Sequence, residues 1–215
     1  MDTLESINSL TQHAYNMAAQ KYHDLFHNEM NEKEYDRNLL DSYAARLNKD
    51  SLICDAGCGP SGHIGGYLIE KGLRVIGVDI SEKCVKLARF YNPDMNFECA
   101  DICNMPFDDK TFDGLISYYS IINTPKIYIN RIFTEFSRVL KTDGYLLVAV
   151  KAGMSEGYID DLLGIKTKIY STLFTQEEIV GYFSKAGFLL EFFDMRKPYD
   201  FEISNERIFA IDKKI

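Results

Sequence analysis

Between residues 2 and 47, apolar side chains recur every three or four positions. Leu4, Ile7, Leu10, Ala14, Met17 and Ala18 form one such series, and Tyr35, Leu39, Leu40, Tyr43, Ala44 and Leu47 form another. This spacing predicts amphipathic helices with a polar break around Asn28 to Lys33. The period then changes. Ser51 to Ala56 is a short apolar run that ends in a glycine loop, Ile64 to Lys71 reads as a helix stopped by Gly72, and Leu73 to Asp79 is a second strand rich in Val and Ile. Ser81 is placed to cap a helix running to about Tyr91. Met95 to Cys99 and Thr111 to Tyr118 are further strands, Ile127 to Leu140 is an amphipathic helix, and Tyr145 to Lys151 is a fifth strand entered through the Asp143-Gly144 turn. Thr175 and Glu178 form a capping box for a helix ending near Gly187. Phe188 to Arg196 and Glu206 to Lys214 are two strands with no helix between them, so they should pair antiparallel.

Strands alternating with helices at this pitch predict an α/β fold, a Rossmann-like doubly wound sheet that is mostly parallel and covered on both faces. A chain of 215 residues fits a single domain that buries roughly 70% of its unfolded surface. Its expected parts are an N-terminal helical lid (1–48), a core (49–151) and a C-terminal region with a helix, an antiparallel strand pair and substrate loops (152–215). A hydrophobic fraction of 46% and a charged fraction of 26% are ordinary for a folded protein. The net charge of −8 disfavours DNA, RNA or any partner held through its phosphate backbone. The stretch MDTLESINSLTQHAYN is polar, and no apolar run is long enough to span a membrane, so a cytoplasmic protein is expected. Five cysteines lie between Cys54 and Cys103 without zinc-ligand spacing and read as buried, reduced thiols; no metal is expected.

The chemistry concentrates in LICDAGCGPSGHIGGYL, Leu52 to Leu68, which contains a G-x-G-x-x-G at Gly57, Gly59 and Gly62. Three glycines report a tight turn and close backbone approach to a ligand, and a dinucleotide is one candidate for that ligand. The neighbouring acids narrow the choice. Asp79, twenty residues after Gly59, is placed to accept ribose hydroxyls. Asp55, two residues before the first glycine, suits a cationic amino group better than a pyrophosphate. Asp101, followed by Ile102, offers an acceptor for an exocyclic amine beside an apolar contact for a purine. Together they suit a ligand with adenine, ribose and a cationic amino-acid tail.

DAGCGPSG, VIGVDIS, CADICNMPFDDKTFDGLISYYS and RVLKTDGYLLV, in that order, resemble the motif series of the class I S-adenosylmethionine-dependent methyltransferases over about Ser51 to Lys151. The resemblance implies a seven-stranded sheet with a reversed last strand, S-adenosylmethionine as cofactor and S-adenosylhomocysteine as product. It places Asp55, Gly57 and Gly59 at the methionine end, Asp79 at the ribose, Ile80 and Ile102 on either side of adenine, Asp101 at its amino group, and Tyr118 and Tyr119 near the sulfonium. YNMAAQKYHDLF (Tyr15 to Phe26) resembles the lid helix of the small-molecule members, where Tyr22, with Tyr15 second, would reach the methionine carboxylate. Arg37 could pair with that carboxylate or be a solvated helix charge.

The acceptor side is bordered by the lid, by the loop after the fourth strand (Ser120, Asn123, Thr124, Pro125), by the segment Gly153 to Tyr170 and by the loop Pro198 to Asn205. Its candidate substrate contacts are His27, Asn123, Tyr158, Tyr170 and Tyr199, with His23, Glu156 and Glu202 nearby. No catalytic base stands out. Asn123 lies where many relatives carry a histidine, which leaves proximity and orientation as the expected source of rate. Asp108 and Asp109 read as a solvated acidic turn rather than a magnesium site. The expected function is methylation of a small molecule at oxygen or nitrogen, by a monomer or a homodimer. A nicotinamide-dependent oxidoreductase and a non-catalytic cofactor-binding module remain the alternatives.

Overall fold

The computed structural model describes residues 2–215. The early helical periodicity becomes α1 (Leu4–Phe26), a single tight turn at Glu29–Asn31, and α2 (Glu34–Ala44). Thr3 caps α1 by accepting from the Ser6 N–H. Its buried face carries Leu4, Ile7 and the small residues Ala14, Ala18 and Ala19. Helices and strands then alternate through β1 (Leu52–Ala56), α3 (His63–Glu70), β2 (Arg74–Asp79), α4 (Glu82–Tyr91), β3 (Asn96–Cys99), β4 (Phe112–Tyr118), α5 (Lys126–Val139) and β5 (Leu140–Lys151). Ser81 caps α4 through the Cys84 N–H, as its position predicts.

The sheet order is β3-β2-β1-β4-β5-β9-β8, where β8 is Phe188–Arg196 and β9 is Arg207–Lys214. The first five strands run parallel, and β9 lies antiparallel to both β5 and β8. This is the doubly wound, mostly parallel sheet that the pattern predicts, with the reversed last strand that the resemblance implies. Both faces are covered. One core contains Phe112, Phe133, Phe136, Phe174 and Phe183; the other contains Leu39, Leu40, Tyr43, Leu68 and Phe97. Burying each such side chain contributes about 1.5–3 kcal/mol. Before β8, α6 (Gln176–Lys185) starts at the complete Thr175–Glu178 capping box.

Two elements differ from expectation. The segment Gly153 to Tyr170, for which the pattern predicts no element, contains one: β6 (Glu156–Leu162) and β7 (Ile165–Thr172) form a hairpin outside the main sheet that packs on α1. Its turn, Leu163-Gly164, has positive φ at both residues (57° and 77°), the geometry Asn-Gly normally advertises. A leucine in that place hides the turn. β5 also starts five residues earlier than Tyr145, because residues 140–144 bulge against β4 before the regular register begins at Gly114↔Tyr145.

Candidate functional site

The order of the strands reverses between β1 and its neighbours β2 and β4, and a parallel sheet binds ligands beyond the carboxyl ends of strands at such a point. A cleft of about 670 Å³ of unfilled space, mouth included, lies there. It is lined from the sheet by Gly57, Gly59, Asp79, Ile80, Asp101, Ile102, Tyr118, Tyr119, Ser120, Asn123 and Thr124, and from α1 by Asn8, Thr11, Tyr15 and Tyr22.

The glycine turn is dictated by its surroundings. Gly57 has φ +84°, and a β-carbon on it would sit 2.1 Å from the Ser120 Cβ, so no side chain fits. Gly57 and Cys58 donate their N–H groups to the Val78 carbonyl, and Gly59 donates to Asp79 Oδ2 at 2.9 Å. Gly59 has φ +63° and faces the Tyr22 ring, which lies 3.8 Å from where its β-carbon would be. Asp79 also accepts from the Ser81 N–H through Oδ1. Burial pushes its carboxyl up to about 6, against those two hydrogen bonds.

The other rim is set by α1. Asn8, Gln12 and Asn16 form one i, i+4, i+8 row that spans the ends of β2 and β3. Asn8 donates to Asp101 Oδ2 at 2.6 Å, Gln12 donates to the Ile80 carbonyl, and Asn16 accepts from Ser81 Oγ and the Lys83 N–H. Tyr15 donates its hydroxyl to Asn123 Oδ1 at 2.9 Å, and Asn123 in turn donates to the Tyr170 carbonyl of β7. Burial drives the Tyr15 and Tyr22 hydroxyls well above their ordinary range, so both stay protonated at neutral pH.

Tyr118 and Tyr119 connect the cleft to a buried charged cluster. Tyr119 adopts φ 56°, an outlying conformation for a bulky residue. Its hydroxyl is buried without a hydrogen-bond partner. Tyr118 donates to Asp36 Oδ1. Asp36, fully buried on α2, pairs with Arg196 at 3.1 Å. Glu202 joins Arg196 (2.7 Å), Lys33 (2.9 Å) and, more distantly, Arg207 (3.7 Å). These cations hold its carboxyl down at about 2 despite burial.

Several expected site residues lie elsewhere. Asp55 is buried and accepts from the Gly65 N–H in the first turn of α3, so it ties the loop to the helix and does not face the cleft; burial pushes it up to about 7. Arg37 donates to the Met30 carbonyl, away from the cleft. His27 is exposed, with its ring against the His23 carbonyl. Tyr158 bonds Asp2, and Tyr199 accepts from the Tyr35 N–H under the Arg196 guanidinium. Tyr170 reaches the site only through its backbone carbonyl. Cys99 is exposed, unlike the other four free cysteines. Of the acidic turn, Asp109 pairs with Arg138.

Periodicity gives no reason to single out Asn8, Thr11, Gln12 and Asn16; for the three amides, Asn8, Gln12 and Asn16, the i, i+4 spacing is the available signal. Lys33, Asp36, Lys151, Arg196 and Arg207 were also missed. For Lys151 and Arg207 the signal is a charge at the end of an otherwise apolar strand, in LLVAVK and RIFAI.

A methyltransferase-domain family model matches residues 54–148. The chain is 33% identical over 122 residues to 24-methylenesterol C-methyltransferase 3 of Arabidopsis thaliana, covering 54% of this chain and only 33% of that protein. It is 29% identical over 184 residues to a ubiquinone/menaquinone biosynthesis C-methyltransferase of Campylobacter jejuni, covering 76% of each. The fold superposes on 1,6-didemethyltoxoflavin-N1-methyltransferase of Burkholderia thailandensis, solved with its substrate and S-adenosylhomocysteine, with a TM-score of 0.75 at 15% identity over 100% of this chain and 91% of that one. Sheet order, glycine turn and matched domain agree: the chain carries a methyltransferase-domain match on a fold shared with solved S-adenosylmethionine-dependent methyltransferases.

Proposed function

We propose that the chain transfers a methyl group from S-adenosylmethionine to a small-molecule acceptor at oxygen or nitrogen. One observation carries this reading above all: the cleft over the glycine turn is lined by two carboxylates, Asp79 and Asp101, and by no lysine or arginine. A pyrophosphate would be repelled there, whereas an adenosine with a cationic tail is welcome. The cleft also fits such a ligand in its unspent polar groups, since Thr11 Oγ1 and the Tyr119 hydroxyl are buried without partners in its walls.

In this reading Gly57 and Gly59 lie along the amino-acid portion, Asp79 takes the ribose hydroxyls, Ile80 and Ile102 flank the purine, and Asp101 accepts from its amine. When bound, the cofactor supplies an electrophilic methyl on a sulfonium. The protein's own part is geometric. α1 closes the cleft with Tyr15 and Tyr22 and excludes water, while Asn123, fixed between the Tyr15 hydroxyl and the Tyr170 carbonyl, orients the acceptor side. The protonated tyrosines can donate hydrogen bonds but not take a proton. The five free cysteines and acidic charge support a cytoplasmic setting.

Calorimetry with S-adenosylmethionine, S-adenosylhomocysteine and NADH tests the reading. Micromolar binding of the first two is expected, weakened roughly 10- to 100-fold in Asp79→Ala as charge-assisted hydrogen bonds are lost. Binding of NADH alone would overturn it. Affinity should also fall as pH drops below about 6, where Asp79 takes up a proton.

A further inference from the structure

Lys151 ends β5 and is the register partner of Arg207 at the start of β9, so two cations stand opposite each other on adjacent strands. Like charges placed so are ordinarily destabilising. Arg207 is 3% exposed and donates to the carbonyls of Asn205 and Ile203. The charged groups that act on Lys151 are Arg207 and Lys33, which repel it, and Glu202, which attracts it. Glu202 is already shared by Lys33, Arg196 and Arg207. The Lys151 ammonium has no hydrogen-bond or ion-pair partner among the described residues.

Two further observations bring the Arg207 side of this pair beside the cleft. Tyr119 lines the cleft, its ring lies 5.9 Å from the Arg207 guanidinium carbon, and its buried hydroxyl has no partner. The hydroxyl lies in the mixed field of Asp36, Arg207, Arg196 and Glu202. Its left-handed backbone, held by the Tyr119 N–H to the Ala149 carbonyl, is a strain the fold retains at this one point of the rim. Lys151 is half-buried, and burial and Arg207 drive its ammonium down against the attraction of Glu202.

We propose that Lys151, backed by Arg207 and joined by the Tyr119 hydroxyl, binds an anionic group on the methyl acceptor, so that the substrate class is small acids rather than neutral apolar molecules. This rests on the methyl-transfer reading and names the substrate side of the same site. An acid would supply the missing negative charge, accept from the Tyr119 hydroxyl, and be anchored at the sheet end that carries Ser120 and Asn123.

The test labels the lysines by reductive ¹³C-dimethylation, which keeps their charge, and identifies the Lys151 resonance by its absence in Lys151→Arg. Protein saturated with S-adenosylhomocysteine is titrated with acetate and, separately, with the isosteric acetamide, at constant ionic strength in chloride. Acetate should move Lys151 saturably and several-fold more than the exposed Lys86, and acetamide should not. The proposal is overturned if Lys151 responds no more than Lys86, or if acetamide acts like acetate. It is also overturned if S-adenosylhomocysteine alone produces the shift and acetate adds nothing, since the anion would then be the cofactor's own carboxylate. A chain that binds S-adenosylhomocysteine but leaves Lys151 indifferent loses only the acidic acceptor; a chain that binds no S-adenosylhomocysteine loses the methyl-transfer reading.

Discussion

Asp212 and Glu202 are carboxylates on the last strand and in the loop before it, yet their surroundings push them in opposite directions. Asp212 is fully buried in β9 with neither oxygen hydrogen-bonded, and burial raises its carboxyl from 3.8 to about 7. The folded state therefore keeps a proton that the unfolded chain releases, so stability is greatest below about 4, falls as pH rises, and is fully reduced above about 7. Asp212→Asn should remove this slope and gain about 1–3 kcal/mol at pH 8, measured by denaturant unfolding across pH. Glu202 behaves conversely: its contribution is present above 4.5 and is lost as pH falls toward about 2. Gly57→Ala should cost at least about 1–2 kcal/mol, because it adds a left-handed alanine to a collision with Ser120, and should lower both the melting temperature and S-adenosylhomocysteine affinity.

Among the elements, α1 does two jobs that one helical period conceals. Its alanine face packs inward, and its amide row, Asn8, Gln12 and Asn16, bridges to the loops after β2 and β3. Because Asn8 and Gln12 bond the same rim that would hold adenosine, they act as a latch, and Asn8→Ala with Gln12→Ala should speed S-adenosylhomocysteine dissociation roughly tenfold in stopped-flow displacement. Unchanged dissociation would rule the latch out. The helices and strands of the sheet were readable because their faces are set by burial: alternating elements, the Ser81 cap and the Thr175–Glu178 box each mark a local boundary. The β6–β7 hairpin was not, since its turn uses Leu163-Gly164 and its exposed residues carry little alternation. Likewise, Tyr15, Tyr22, Asp79 and Asp101 could be singled out from a motif, but whether Asp55 and Arg37 face a ligand or a neighbouring backbone depends on side-chain direction, which spacing does not specify.

For the whole molecule, the charged cluster matters more than the chain's overall acidity. Lys33 and Asp36 come from the start of α2, Arg196 and Glu202 from the end of β8 and the loop after it, and they meet only after the sheet has formed. Contacts so distant in sequence leave no periodic trace, which is why this part of the site was invisible beforehand. Glu202→Gln would leave the buried Arg207 without a counter-charge, while Arg196 keeps Asp36 and Lys33 keeps Glu29, and should destabilise the fold by about 3 kcal/mol, with the loss read by thermal unfolding at neutral pH. If the cost is below about 1 kcal/mol, the pairs are solvated in solution. The position of β9 carries a consequence for how the chain is made. It follows β8 in sequence yet inserts between β5 and β8, so a nascent chain cannot complete its sheet until residue 214 has left the ribosome. Until then β5 presents an unpaired edge and β8 has no neighbour, which makes the late intermediate of synthesis, more than the finished protein, the species most in need of protection from aggregation.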